Sequence, residues 1–285
     1  MQSLIIALPA VVLEAPRLVI EDPDSIVLEE HVGIEIFEPG SDIEREVDWD
    51  RLFQVLVYTG AAWALTMGLL VVILIPLIVL GLVGIDFVSL QILFAPWSFL
   101  ILTLSEVGFL VPPIVYARRH NLPLASIGLK VGKPITEALY GLLYGMAMLV
   151  ANLAITFFIG YLIPTPTDGS DQLFAVSGLP EFVAWVAVMF CVVGLGEEVA
   201  FRGFLQRRVE IYFQLRRSDN KRIALIITAV IFSAVHLDII GFPARFVLGL
   251  FLGRLAQRRR YSIIGPAFAH GFNNSMVVLL ASLGF

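Results

Sequence analysis

The chain is 285 residues long, 58% hydrophobic and only 15% charged, with a mean hydropathy of +0.88. A soluble globular domain is about 45–50% apolar and about 25% charged, so this composition describes an integral membrane protein. The single cysteine, Cys191, excludes an internal disulfide and a multi-cysteine zinc site.

The net charge of −5 conceals a division, because residues 1–50 hold 13 acids against 2 bases and residues 51–285 hold 11 against 17. The chain therefore reads as an acidic polar N-terminal extension (1–50) followed by a membrane domain (51–285). The extension lacks the basic flank of a secretory signal, its first base being Arg17. Within it Ser25–Glu30 and Gly33–Phe37 alternate weakly, which suits either short strands or a solvated tail.

From residue 51 the apolar runs are long and lack the dyad alternation of barrel strands. They predict an all-α polytopic bundle with helices over about 52–82, 90–116, 135–163, 179–213, 222–240, 244–257 and 262–283, with room for an eighth segment. The fourth run is too long for one span, so its last turns are expected in water. Basic residues mark alternate connections. They are Arg118, Arg119, Lys130 and Lys133, then Arg207, Arg208, Arg216, Arg217, Lys221 and Arg222, then Arg258, Arg259 and Arg260. Under the positive-inside rule these connections are cytoplasmic, which puts the N-terminus inside and the C-terminus outside.

Three polar patterns interrupt these runs. In the first, Glu197-Glu198-x-x-x-Arg202, Glu198 and Arg202 are i,i+4 neighbours able to pair. Glu197 is rotated by about 100° and left for chemistry. The second is Phe232-x-x-x-His236 and the third His270-x-x-x-Asn274, with Asn273 assigned to another helix face. Charged groups in a bilayer are costly and default to function. There is no nucleophile elbow, no His-Glu-x-x-His zinc motif and no phosphate loop. A carboxylate, two imidazoles and an amide suit hydrolysis by activated water. Glu197, His236 and His270 could instead hold a zinc ion with an open position. Counting residues from the basic ends leaves these groups at different depths, and the site is expected in the cytoplasmic half, open to that side.

In this order, on successive membrane helices, the motifs resemble the CAAX protease and bacteriocin-processing family of intramembrane endopeptidases. That family includes the type II CAAX prenyl endopeptidase and is also called the abortive-infection family. Leu124–Leu129 and Gly249–Gly253 look like family connecting sequence; the motif core covers about 190–280 and the wider resemblance runs from about 90 to the end. The resemblance implies that Glu197 activates water with help from His236. His270 and Asn274 would stabilise the oxyanion, and Glu198, Arg202 and Phe232 would support the site. A metal-free mechanism is preferred over zinc. The implied partners are membrane lipid and a membrane-associated protein or peptide, with no nucleic acid. Two other readings are a non-enzymatic immunity or chaperone-type protein using the cluster as a lock, and a proton-coupled transporter.

Overall fold

The computed structural model describes residues 49–86, 91–129, 133–163, 176–214 and 219–283. The weak strands expected in the acidic extension lie outside these residues. Among the described residues the chain forms seven helical runs and one hairpin.

Helix α1 (Trp49–Val79) has Asp50 in its first turn, where an acid favours the helix dipole. It stops short of the expected residue 82 because Gly81 takes a left-handed φ of 70°. The amide of Leu82 donates to Leu77 O and that of Gly81 to Ile78 O, which is the Schellman termination. The segment after Gly81 corrects the sequence reading, in which helix 2 begins at 90. Strands β1 (Val83–Asp86) and β2 (Gln91–Phe94) pair antiparallel, Val83 opposite Phe94 and Asp86 opposite Gln91. A lone hairpin is marginal; this one is held by packing Val83 and Phe94 with Leu77, Phe99 and Leu102.

Helix α2 (Ser98–Arg119) tightens to 3₁₀ geometry over Leu104–Leu110. Helix α3 is Pro134–Leu162. Helix α4 (179–214) is α-helical at both ends but contains two π-helical stretches, Met189–Gly194 and Val199–Gln206, with Leu195–Glu198 between them. Helix α5 (Asn220–Ala234) ends six residues before the expected 240. Leu237 adopts a φ of 55° there, and the chain turns into α6 (Phe242–Arg258), which starts on Pro243. Helix α7 is Ile264–Ser282.

Four of these, α1, α2, α3 and α4, are long and apolar enough to cross a membrane. Their outer faces carry large apolar side chains with nothing over them, such as Phe157, Phe158 and Tyr161 on α3 and Val71, Val72 and Ile75 on α1. Such a surface has low free energy in hydrocarbon and high free energy in water. The core sits around the second half of α4. Phe201, Phe204 and Leu205 are wholly buried against Tyr116 of α2, Phe232 of α5 and Leu252 and Leu255 of α6. Arg207 and Arg208, expected in a loop, continue α4 and are buried, donating to the carbonyls of Ala125 and Ser126.

Candidate active site

The three motifs come from α4, the end of α5 and α7, and the fold brings them to one cavity of about 460 Å³. Its lining includes Glu197, Phe232, His236, His270 and Asn274. Helices α4 and α7 cross closely enough for this because residue 271 is glycine. A Cβ there would stand 2.9 Å from Phe190 Cα.

Glu198 is fully buried and engaged twice by one oxygen. Its Oε1 accepts from Arg202 Nη1 at 2.8 Å and lies 3.0 Å from His270 Nδ1. An ionised carboxylate only accepts, so Nδ1 is the donor and Nε2 is the ring atom left over. The Arg202 guanidinium also lies over the Phe232 ring, 4.1 Å from its centroid. Phe232 in turn meets both imidazoles edge-on, at 5.2 Å from His236 and 5.9 Å from His270. Thus the supporting residues are a connected scaffold: carboxylate to guanidinium, guanidinium to ring, ring to both histidines.

His236 lies just beyond α5 rather than within a helix. Its Nδ1 donates to the Phe232 carbonyl at 2.8 Å, which fixes the ring and again leaves Nε2. Glu197 is only 4% exposed, and its Oε2 has no hydrogen-bond partner. Asn274 lines the cavity, and so does Asn273, against the expectation that it faces elsewhere. Asn273 Nδ2 donates to Asn274 Oδ1 at 3.1 Å, which leaves the Asn274 amide nitrogen as a donor. The zinc set of Glu197, His236 and His270 does not gather. Among the described residues no three His, Cys, Asp or Glu side chains form a group able to hold a metal ion.

Five polar residues on the cavity wall belong to none of the three sequence motifs: Thr103 and Glu106 of α2, Asn152 and Thr156 of α3, and Arg245 of α6. Arg245 Nη1 donates to Asp238 at 2.8 Å. Asp238 also accepts from the Gly241 amide, and together these hold its carboxyl below the usual range.

The cavity has a definite position along the helices that form it. Its wall uses the part of each helix remote from the basic residues: Phe99 to Glu106 rather than Arg118, Asn152 and Thr156 rather than Lys133, Met189 to Glu197 rather than Arg207. Likewise it uses His236 rather than Arg222, and Gly241 to Leu248 rather than Arg258. The depths counted from sequence disagree because α4 contains π-helical turns and His236 lies off the end of its helix.

No curated protein and no solved structure matches the chain. A family model does match, over the stretch that contains all three motifs and most of the cavity's polar wall. Residues 179–276 match the family model described as type II CAAX prenyl endopeptidase Rce1-like.

Proposed function

We propose that this protein is an intramembrane endopeptidase that hydrolyses a peptide bond of a membrane-associated protein or peptide with water activated by Glu197. One observation carries the reading: of the two adjacent carboxyls, Glu198 is paired through Oε1 with Arg202 and His270, whereas Glu197 lines the cavity and makes no ion pair among the described residues. Packing accounts for the first and not the second.

In the mechanism, Glu197 takes a proton from water as the oxygen attacks the scissile carbonyl. His236, held by the Phe232 carbonyl through Nδ1, offers Nε2 to the same water. The charge that develops on the carbonyl oxygen meets the Asn274 amide, which Asn273 orients, and His270, which donates once both its ring nitrogens carry protons. The Glu198 carboxylate holds the His270 ring in place through Nδ1. A single oxyanion donor contributes about 2.7–4 kcal/mol in a well-studied hydrolase.

The Rce1-like match suggests a prenylated CAAX tail as substrate class, and no metal is assigned a step. With the basic connections cytoplasmic, the N-terminus is inside the cell membrane, the C-terminus is outside, and the cavity lies in the outer half of the bilayer. A fluorogenic peptide with a farnesylated CAAX cysteine tests the core of this reading. The purified protein cleaves it and continues to do so after chelation, while Glu197→Gln reduces kcat by about 10²–10⁴-fold and folds normally. Undiminished cleavage by that variant removes the assignment; loss on chelation with rescue by zinc removes the metal-free mechanism. The structural-lock alternative predicts no phenotype for Glu197→Gln.

A further inference from the structure

The proposed reaction leaves one proton unassigned. When the tetrahedral intermediate collapses, the departing amine nitrogen must be protonated, either by Glu197 returning the proton it took from water or by a second carboxyl at the cavity. Glu198 is committed to Arg202 and His270, and Asp238 to Arg245 and the Gly241 amide. Arginine does not serve as an acid at all.

Glu106 remains. It comes from the 3₁₀ stretch of α2, outside the Rce1-like segment, and it lines the same cavity as Glu197. The two elements are in direct contact: a Cβ on Gly196 would lie 3.0 Å from the Glu106 carbonyl oxygen. The side chains share a further property. Glu106 Oε2 and Glu197 Oε2 are both buried with no hydrogen-bond donor. Buried polar atoms are rarely left so, and a carboxyl that carries a proton becomes a donor itself.

We infer, on the basis of the endopeptidase reading, that Glu106 is a second catalytic carboxyl: the acid that protonates the leaving amine in a reaction whose base is Glu197. The steps balance. Glu197 takes one water proton, the remaining hydroxide oxygen bonds to the carbonyl carbon, and the π pair moves onto the carbonyl oxygen. That pair then re-forms the carbonyl, the C–N bond breaks, and the nitrogen takes the Glu106 proton. Transfer of the proton from Glu197 to Glu106 restores the starting state. The second carboxyl thus separates the two proton transfers that Glu197 would otherwise perform in sequence.

The test exploits the fact that an ester with a good leaving group needs no acid, whereas an amide does. Two farnesylated CAAX peptides, one with an amide and one with an activated ester at the scissile position, are assayed with the full chain and with Glu106→Gln and Glu197→Gln. The inference expects Glu106→Gln to lose about 10²-fold in kcat on the amide with KM unchanged, and an order of magnitude less on the ester. Glu197→Gln should lose both activities. Equal losses on the two substrates make Glu106 a structural residue and overturn the inference; so does an amide kcat equal to wild type. In either case the endopeptidase reading stands. If the wild type cleaves neither peptide, or Glu197→Gln cleaves both normally, the endopeptidase reading fails and the role of Glu106 with it.

Discussion

Glu198 shows what a buried charge requires. It has no exposure, and its Oε1 serves both a guanidinium and an imidazole. Removing one partner of such a set strands the others in a medium that cannot solvate them, which typically costs about 3–5 kcal/mol. We therefore expect Glu198→Ala to lower thermal stability by about that amount in detergent, followed by tryptophan fluorescence or calorimetry. Glu198→Leu with Arg202→Met, which removes both charges, should recover most of the loss while remaining inactive. A stability equal to wild type for Glu198→Ala would mean that the pair is solvated. The separation of Glu197 from Glu198 is legible in the sequence because i,i+4 spacing pairs Glu198 with Arg202 and leaves Glu197 out. Glu106 carries the same kind of signal outside any motif. It is the one acid inside the 22-residue apolar run of α2, and a lone carboxyl in such a run points to function on energetic grounds alone. Asn273 departs from expectation for a different reason: it lies one residue from Asn274, and near a cavity that wraps part of a helix, adjacent positions can both reach the wall.

At the scale of elements, hydropathy finds the helices and local backbone chemistry decides where they end. The hairpin is invisible to it because Gln91-Ile-Leu-Phe is as apolar as a helix start, and only the left-handed Gly81 stops α1 in time to form it. The end of α5 is hidden similarly, since Val235 to Ile240 continues the apolar pattern through a turn. The π-helical stretches of α4 have no hydropathy signature at all. They flank Glu197 and Glu198, and wide turns of this kind are frequent at functional sites. The α4–α7 crossing makes a prediction of its own. Gly271→Ala places a methyl group against Phe190, 2.9 Å from its Cα, so α7 must move away from α4. Overpacking of this sort costs about 1–3 kcal/mol. Because His270 moves with α7, kcat should fall on the CAAX peptide along with the melting temperature. A variant that loses stability but keeps full kcat would show that the Glu198–His270 contact does not tune the chemistry.

For the whole molecule, the basic ends and the cavity occupy opposite parts of the bundle, so the proposed orientation sets the side from which the site is reached. The orientation is testable with a membrane-impermeant thiol reagent on intact cells. In a Cys191→Ser background, which removes the one native thiol, a cysteine at the exposed Ile239 is expected to react from outside and one at Arg260 is not. The reverse pattern would turn the protein over and put the cavity on the cytoplasmic side.

Helix α3 bears on how a substrate arrives. Among the described residues its extensive interfaces are with α6 and α7, and the side-chain hydrogen bonds that tie it to α6 and the residue after it lie in its first half. Arg259 grips the Glu137 carboxylate with three hydrogen bonds, the shortest 2.6 Å, and Arg258 donates to the Tyr144 hydroxyl at 2.9 Å. Toward its other end α3 contributes Asn152 and Thr156 to the cavity and turns Phe157, Phe158 and Tyr161 outward. With polar clamps in one half and exposed apolar side chains along the other, α3 would serve as a lateral door if that second half moved outward. A chain anchored in the bilayer could swing it aside and slide in edgeways, so that capture is a two-dimensional encounter set by surface density in the membrane instead of concentration in water.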